Sequence, residues 1–214
     1  MDRYRNFEAL KSSEQLNVDY RIQKRMGSSG IAILCIHGGD IEPGTSCIAD
    51  AIAGQEHSFY AFEGIKHRGN LALHITSTRF DESSALEIVC RSDVILSIHG
   101  CAKTEPVVNL GGLDAEIKRN IMKNLCESGF QVNECAGPPF GGLDRTNICN
   151  LCGRGMGVQM EISRGLREWM FRSLEPEGRR HRTEIFDRFI NAVRDAISPF
   201  AAIYAETHPL QGTD

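Results

Sequence analysis

Residues 31 to 46, Ile-Ala-Ile-Leu-Cys-Ile-His-Gly-Gly-Asp-Ile-Glu-Pro-Gly-Thr-Ser, constrain the fold more than any other stretch of the chain. Six uncharged apolar residues in succession read as a strand buried on both faces, the kind that occupies the centre of a parallel or mixed sheet. Two glycines then release the backbone into a turn directly after His37. Glu42 follows, with Pro43 at a helix start, so an imidazole and a carboxylate leave the strand tip together. In open α/β sheets that tip borders the crevice where ligands bind. A plainer reading, in which His37 is only a hydrogen-bonded strand-end histidine, stands beside this one.

The pattern occurs twice. Val94-Ile-Leu-Ser-Ile98 is a second apolar run, again closed by a His-Gly pair, His99-Gly100. Parallel strands joined by βαβ crossovers would bring both imidazoles to the same sheet edge. Around these two strands the spacing predicts a helix from Thr45 and Ser46, as its caps, to Ala53, and strands at Ser58–Phe62 and Leu71–Thr76. Glu63 stands at the end of the first of these strands as a rival carboxylate to Glu42. A helix follows to about Arg91, then an amphipathic one from Asp114 to Ser128 with Ile117, Ile121 and Leu125 on one face and Gly129 as its stop. After a strand at Phe130–Glu134, the Gly- and Pro-rich stretch 137 to 157 is too long for an idle connection and is a candidate substrate loop. Gly157–Ile162 alternates as a last strand, with Val158, Met160 and Ile162 on one side and Gln159 and Glu161 on the other. A helix through Trp169 and a long one from Thr183 to Tyr204 close the chain. At the other end, residues 1 to 17 read as a loose polar arm or short helix, and Val18–Gln23 as an edge strand paired with the central one across Met26–Gly30. The expected class is α/β: a single domain, 1 to 214, with an open mixed sheet flanked by helices.

A formal charge of -4 with dispersed basic residues speaks against nucleic acid as a partner. The cluster Arg179, Arg180 and Arg182 reads as a solvated helix start. No basic-then-apolar leader and no membrane-length apolar run is present, so the expectation is a cytoplasmic, monomeric protein. The eight cysteines fit that compartment. Cys35, Cys47, Cys90 and Cys126 fall in apolar or helical patterns, where a thiol behaves as a small hydrophobe. Only Cys149-Asn-Leu-Cys152 has paired spacing, without the second pair a zinc knuckle needs.

Two histidines and a carboxylate with a fourth position left open form the ligand set of hydrolytic zinc sites, and His37, Glu42 and His99 fit it. Such a site needs a second carboxylate outside the metal's shell to move the proton of water, and Glu161 is placed for that role by its strand position. An ion pair of Glu161 with Arg164 or Arg167 is the plainer alternative. A different class, a non-catalytic binding or redox module working through Cys149 and Cys152, also accommodates the pattern.

In order along the chain, His37-Gly-Gly-Asp-Ile-Glu-Pro-Gly-Thr45, Leu73-His-Ile-Thr-Ser-Thr-Arg-Phe-Asp-Glu82, Ser97-Ile-His-Gly100 and Gly157-Val-Gln-Met-Glu-Ile-Ser163 resemble the bacteriophage-type poly-γ-glutamate hydrolase family. The resemblance covers nearly the whole chain. It implies a carboxypeptidase-like fold, one zinc ion on His37, Glu42 and His99, Glu161 as the catalytic carboxylate, and internal cleavage of γ-glutamyl amides. Family members tend to carry His where this chain has Arg79, and Asn-Arg where it ends the segment Asn147-Ile-Cys-Asn-Leu151. A polymer with one free carboxylate per unit calls for arginine clamps, and Arg79, Arg145, Arg154, Arg164 and Arg167, with Asn147, are the candidates. The same zinc set would also serve an N-acyl amino acid amidohydrolase or a carboxypeptidase-type exopeptidase acting on a small amide.

Overall fold

The structure is a computed structural model that describes residues 2–135, 137 and 141–207. Strands β1 (Tyr20–Arg25), β2 (Ile31–Gly39), β3 (Ser58–Gly64), β4 (Val94–Cys101), β5 (Val108–Gly111), β6 (Val132–Glu134) and β7 (Val158–Ser163) form one mixed sheet. Their order is β1-β3-β2-β4-β7-β5-β6. The four inner strands β3, β2, β4 and β7 run parallel, and β1 and β5 are antiparallel to β3 and β7. Among the described residues six helices cover the sheet: α1 (Phe7–Lys11), α2 (Thr45–Ala53), α3 (Ser83–Cys90), α4 (Ala115–Glu127), α5 (Arg164–Met170) and α6 (Glu184–Thr207).

The central run at β2 is buried on both faces, as its composition requires. Ile31, Ile33 and Cys35 pack with α2, α4 and α6, while Ala32, Leu34 and Ile36 pack with α1 and α3. Truncating Ile33 or Leu34, each with no exposed surface, to Ala would cost roughly 2–5 kcal/mol. The chain leaves β2 through α2 to β3 on one side, then crosses back through α3 to β4 on the other. That reversal of strand order makes the C-terminal edge between β2 and β4 the topological switch point, where open sheets hold ligands.

Several local expectations need correction. Val18–Gln23 was expected to form a hairpin with β2; the strand is instead Tyr20–Arg25, paired with β3, because both edges of β2 are taken by parallel neighbours. The loop between them turns away, with Ser28 and Ser29 donating to Glu56 O. Leu71–Thr76 is not a strand. Asn70 bonds both backbone groups of Lys66 and starts a 3₁₀ turn at Asn70–Leu73. The N-cap of α2 is Gly44, with Thr45 Oγ1 donating back to Glu42 O instead of capping. Of the two readings of residues 1 to 17, the short helix is present as α1 and the loose arm is not: the segment buries Tyr4, Phe7 and Leu10 against β3 and its neighbours. Arg179 is no solvated helix start; it sits in a 3₁₀ turn and donates to Asp40 Oδ1 at 2.7 Å and Leu174 O at 2.6 Å. The short strand β5 has no periodic signal strong enough to betray it in the sequence. Part of the Gly- and Pro-rich stretch, residues 138–140, lies outside the described residues. Among those described, no helix is long and apolar enough to cross a membrane.

Candidate metal centre

The switch point gathers His37 from the end of β2, His99 from the end of β4, and Glu42 from the turn after β2. Strict alternation along β2 would send His37 to the face of α2 and α6, with Ile33 and Cys35. A bulge intervenes: Cys35 pairs with Ala61 but Gly38 with Glu63, so β2 carries one extra residue over this step. That re-aims His37 to the opposite face, beside His99. Gly39 completes the turn at φ +64, where a Cβ would lie 2.3 Å from Gly64 O. Glu42 N then donates to His37 O at 3.0 Å, which fixes the main chain of Glu42, and Gly100 N donates to Glu42 Oε2 at 2.7 Å, which holds the carboxylate.

The donor atoms converge. His37 Nδ1 and His99 Nδ1 are 3.1 Å apart, with Glu42 Oε1 3.2 Å from the first and Oε2 4.0 Å from the second. Outward, His37 Nε2 faces Ile75 O at 2.8 Å and His99 Nε2 faces Ser97 Oγ at 2.9 Å. A carbonyl oxygen only accepts, so His37 carries its proton on Nε2 and turns the Nδ1 lone pair inward. The Ser97 hydroxyl can accept from His99 as well as donate to it, and when it accepts, two imidazole lone pairs and a carboxylate point at one spot. Without a cation that arrangement is repulsive, and the metal-free site takes up a proton in its place: burial lowers His37, but the charge and hydrogen bond of Glu42 outweigh it and raise the group above its ordinary value. A tetrahedral zinc ion with Zn–N near 2.0–2.1 Å sets its ligand atoms roughly 3.3 Å apart; the two imidazole nitrogens match this at 3.1 Å, the three ligand atoms lie within 4.8 Å of one another, and outward histidine N–H bonds are the usual support of metal ligands. The residues therefore fit a single ion of this kind.

Electrostatics divide the two carboxylates of the cleft. Burial raises Glu42, but the adjacent His37 outweighs it and holds the group down to about 2. Glu161 goes the other way: burial first, then the charge of Glu42, push it up to about 8. Burial, followed by His37, drops His99 to about 3, which keeps it neutral and ready to ligate.

A cleft of about 260 Å³ exposes His37, Glu42, His99 and Glu161 together with His74, Thr76, Ser77 and Gln159. It shares Thr76, Ser77 and Gln159 with an adjoining groove of about 270 Å³ that continues past Thr78, Gly142, Asp144 and Asn147. Sequence reasoning passed over His74, whose ring stacks on His37 at 4.0 Å, and Gln159, which donates to Glu161 Oε1 at 3.0 Å. The alternation along β7 placed Gln159 beside Glu161 and was the signal available for it; His74 lay within the family-like segment Leu73–Glu82 but was given no role there.

The expected clamps scatter. Arg79 donates to Asp2 Oδ2 at 2.6 Å, beside the groove wall at Thr78. Arg145 is exposed next to Asp144 on the groove rim. Arg154 pairs with Asp114 at 2.9 Å and lines a separate cavity with Gly30 and Val94, at the opposite end of the sheet. Arg164 is paired with Glu168 at 2.8 Å on the exposed side of α5. Neither it nor Arg167 forms an ion pair with Glu161. Arg167 is buried and donates to three carbonyls, Ile162 O, Pro43 O and Cys101 O. Glu63 is spent on Arg21 and Gln23. All eight cysteines are free, and Cys149 is buried with its thiol raised to about 12, which removes the thiolate a redox pair would need.

These groups suit the cleavage of an amide by water: a place for a polarising cation and, beside it, a carboxylate basic enough to take a proton. The class is that of a hydrolase. Comparison with known proteins carries this to a family, since a model described as poly-gamma-glutamate hydrolase matches residues 4–192. UPF0714 protein YndL of Bacillus subtilis (strain 168) is 38% identical over 79% of this chain and 67% of its own length. SPbeta prophage-derived UPF0714 protein YoqZ of the same organism is 37% identical over 83% of this chain and 65% of its own. The chain thus spans about two thirds of the length of these relatives. The structure of a bacteriophage poly-gamma-glutamate hydrolase superposes with a TM-score of 0.91 at 29% identity, covering 95% of this chain and all (100%) of that one. A zinc-free apo form of YndL superposes with a TM-score of 0.87 at 34% identity, covering 92% and 98%. The chain belongs to the poly-gamma-glutamate hydrolase family.

Proposed function

We propose that this protein hydrolyses γ-glutamyl amide bonds within poly-γ-glutamate, using one zinc ion held by His37, Glu42 and His99 and Glu161 as the general base. The observation that carries the reading is the convergence of two imidazole lone pairs and a carboxylate on one point, each backed by an outward hydrogen bond. A bound zinc ion would lower the pKa of water toward about 7 and polarise the scissile carbonyl. Glu161 takes the proton from the attacking water and returns it to the leaving nitrogen. Ser77 and Thr78 supply uncharged donors along the groove, and Arg145, next to the groove residue Asp144, and Arg79, whose guanidinium also holds Asp2, receive substrate carboxylates. Arg154 and Arg164, held elsewhere, are left out of this assignment, and Asn147 and Arg167 act within the protein. The cleft runs on into a groove, which admits the middle of a chain as well as its end. The reading carries with it a cytoplasmic monomer that binds neither nucleic acid nor membrane.

The test is viscometry. Incubation with high-molecular-mass poly-γ-glutamate should lower its viscosity rapidly and yield short oligomers, with activity abolished by a chelator and restored by zinc. Steady release of single glutamates with slowly falling viscosity would instead favour the exopeptidase reading. Activity untouched by exhaustive chelation would sink the metal assignment.

A further inference from the structure

Three buried side chains beyond the metal ligands form a single file toward Glu161. Asn147, Gln159 and Glu161 are 4%, 5% and 7% exposed. Gln159 and Glu161 stand two apart on β7 and so share a face, while Asn147 opens the 3₁₀ turn Ile148–Asn150 that packs beneath. The two ends of a side-chain amide are hard to tell apart from shape alone, and their direction must be read from partners. Here one partner admits no choice. The backbone N–H of Cys149 points at Asn147 Oδ1 from 3.1 Å, and a backbone N–H only donates. The other end of Asn147 is therefore Nδ2, which donates to Gln159 Oε1 at 2.8 Å. That leaves Gln159 Nε2 as the donor to Glu161 Oε1 at 3.0 Å.

We propose that Asn147 and Gln159 are positioning residues whose one-way hydrogen-bond relay, anchored on the Cys149 backbone N–H, holds the Glu161 carboxylate in its working orientation. The proposal rests on Glu161 as the base. Asn147, expected from the sequence to hold substrate, has both ends of its amide engaged inside the protein. The relay always presents a donor to Glu161, so the carboxylate is met in its accepting form and in one rotamer. Its direction also explains why an amide, and not an acid of the same shape, is needed at 147. In Asn147→Asp the Cys149 bond survives, but no donor remains for Gln159. Gln159 must then turn its amide to donate to the new carboxylate, and its oxygen faces Glu161.

Asn147→Asp, Gln159→Leu, Glu161→Gln and the double variant Asn147→Asp/Glu161→Gln decide the matter in the zinc-loaded protein. The relay requires kcat to fall by about 10- to 10²-fold in each of the first two, a part of what a general base contributes. KM should stay within about twofold and zinc at one equivalent, and the double variant should be no slower than Glu161→Gln alone. In metal-free protein the Gln159 side-chain N–H resonances, identified by their loss in Gln159→Leu, should shift in Asn147→Asp. A kcat for Asn147→Asp within twofold of the parent, or unmoved Gln159 resonances, overturns the relay. Should Asn147→Asp fail to fold, Gln159→Leu decides alone by the same kcat-against-KM split. Near-normal activity of Glu161→Gln would instead sink the base assignment, whereas an inactive Glu161→Gln beside a normal Asn147→Asp sinks only the relay.

Discussion

Glu42 and Glu161 line one cleft and are driven in opposite directions, the first to about 2 and the second to about 8. Two carboxylates pushed apart by their surroundings are suited to different tasks, here those of the proposed ligand and the proposed base. Glu42 stays ionised because His37 lies against it and Gly100 N–H donates to it; Glu161 is basic because burial and the charge of Glu42 both oppose its ionisation. Glu161→Gln removes the proton acceptor while keeping shape. It should retain one zinc and the fold and lose rate by roughly 10²- to 10⁴-fold, read as kcat beside metal analysis. A variant within a few-fold of the parent rate would show that another group takes the proton. The grouping of His37, His99 and Glu42 was legible in the sequence because they punctuate apolar strands, and the place of Glu161 beside them because it lies on the polar face of an alternating strand. The arginines could not be sorted, since partners such as Asp2 for Arg79 and Asp114 for Arg154 are distant in sequence and carry no local mark.

At the scale of elements, the site depends on three separate pieces of backbone staying in register. Arg167, projecting from α5, fastens them: its guanidinium donates to the carbonyls of Pro43, Cys101 and Ile162, which adjoin Glu42, follow His99 by two, and adjoin Glu161. Gly100 leaves room for it, since a Cβ there would lie 2.7 Å from the guanidinium carbon. Lysine has one ammonium and cannot span three carbonyls in a planar fork. Arg167→Lys should therefore weaken zinc binding by about 10- to 100-fold, the range seen when outer supports of metal ligands are lost. Competition with a chromophoric chelator measures this, and parent-like affinity would remove the brace from the account. The parallel core strands were legible because burial on both faces writes continuous apolar runs. Strand β5 and the partner of β1 were not. A four-residue strand has too few positions to show a period, and pairing is decided by which edges the rest of the sheet leaves open. The bulge that turns His37 toward His99 is equally silent, since it appears only in the register between β2 and β3.

Across the whole molecule, the amino-terminal arm ties the far end of the chain to the wall of the site. Asp2 accepts from Thr76 N and Thr76 Oγ1, from Arg79, and from His74 Nδ1 at 2.8 Å. The segment it clamps supplies Ile75 O to His37, the stacked ring of His74, and Thr76 to the cleft. A polar stretch whose partners lie more than seventy residues away reads as loose in the sequence, and this is why the arm's role was hidden there. Burial opposes ionisation of Asp2, yet the hydrogen bonds from Thr76 and His74 outweigh it and bring the group from 3.8 down to about 2. A depressed folded value means the ionised form is preferred on folding. The contribution is therefore complete above the unfolded value of 3.8 and disappears as pH falls through about 2. Asp2→Asn keeps the size but loses the charge, and should cost about 1–3 kcal/mol near neutrality, the range for hydrogen bonds to a charged group. Denaturant melts of metal-free protein would follow the gap between parent and variant, with metal release removed from the comparison. The gap should hold steady above pH 5, narrow as pH falls below about 4, and vanish near the folded value. A gap that persists unchanged to pH 2, or none at neutrality, would mean that the arm is held by its apolar residues alone and that Asp2 contributes nothing to the wall.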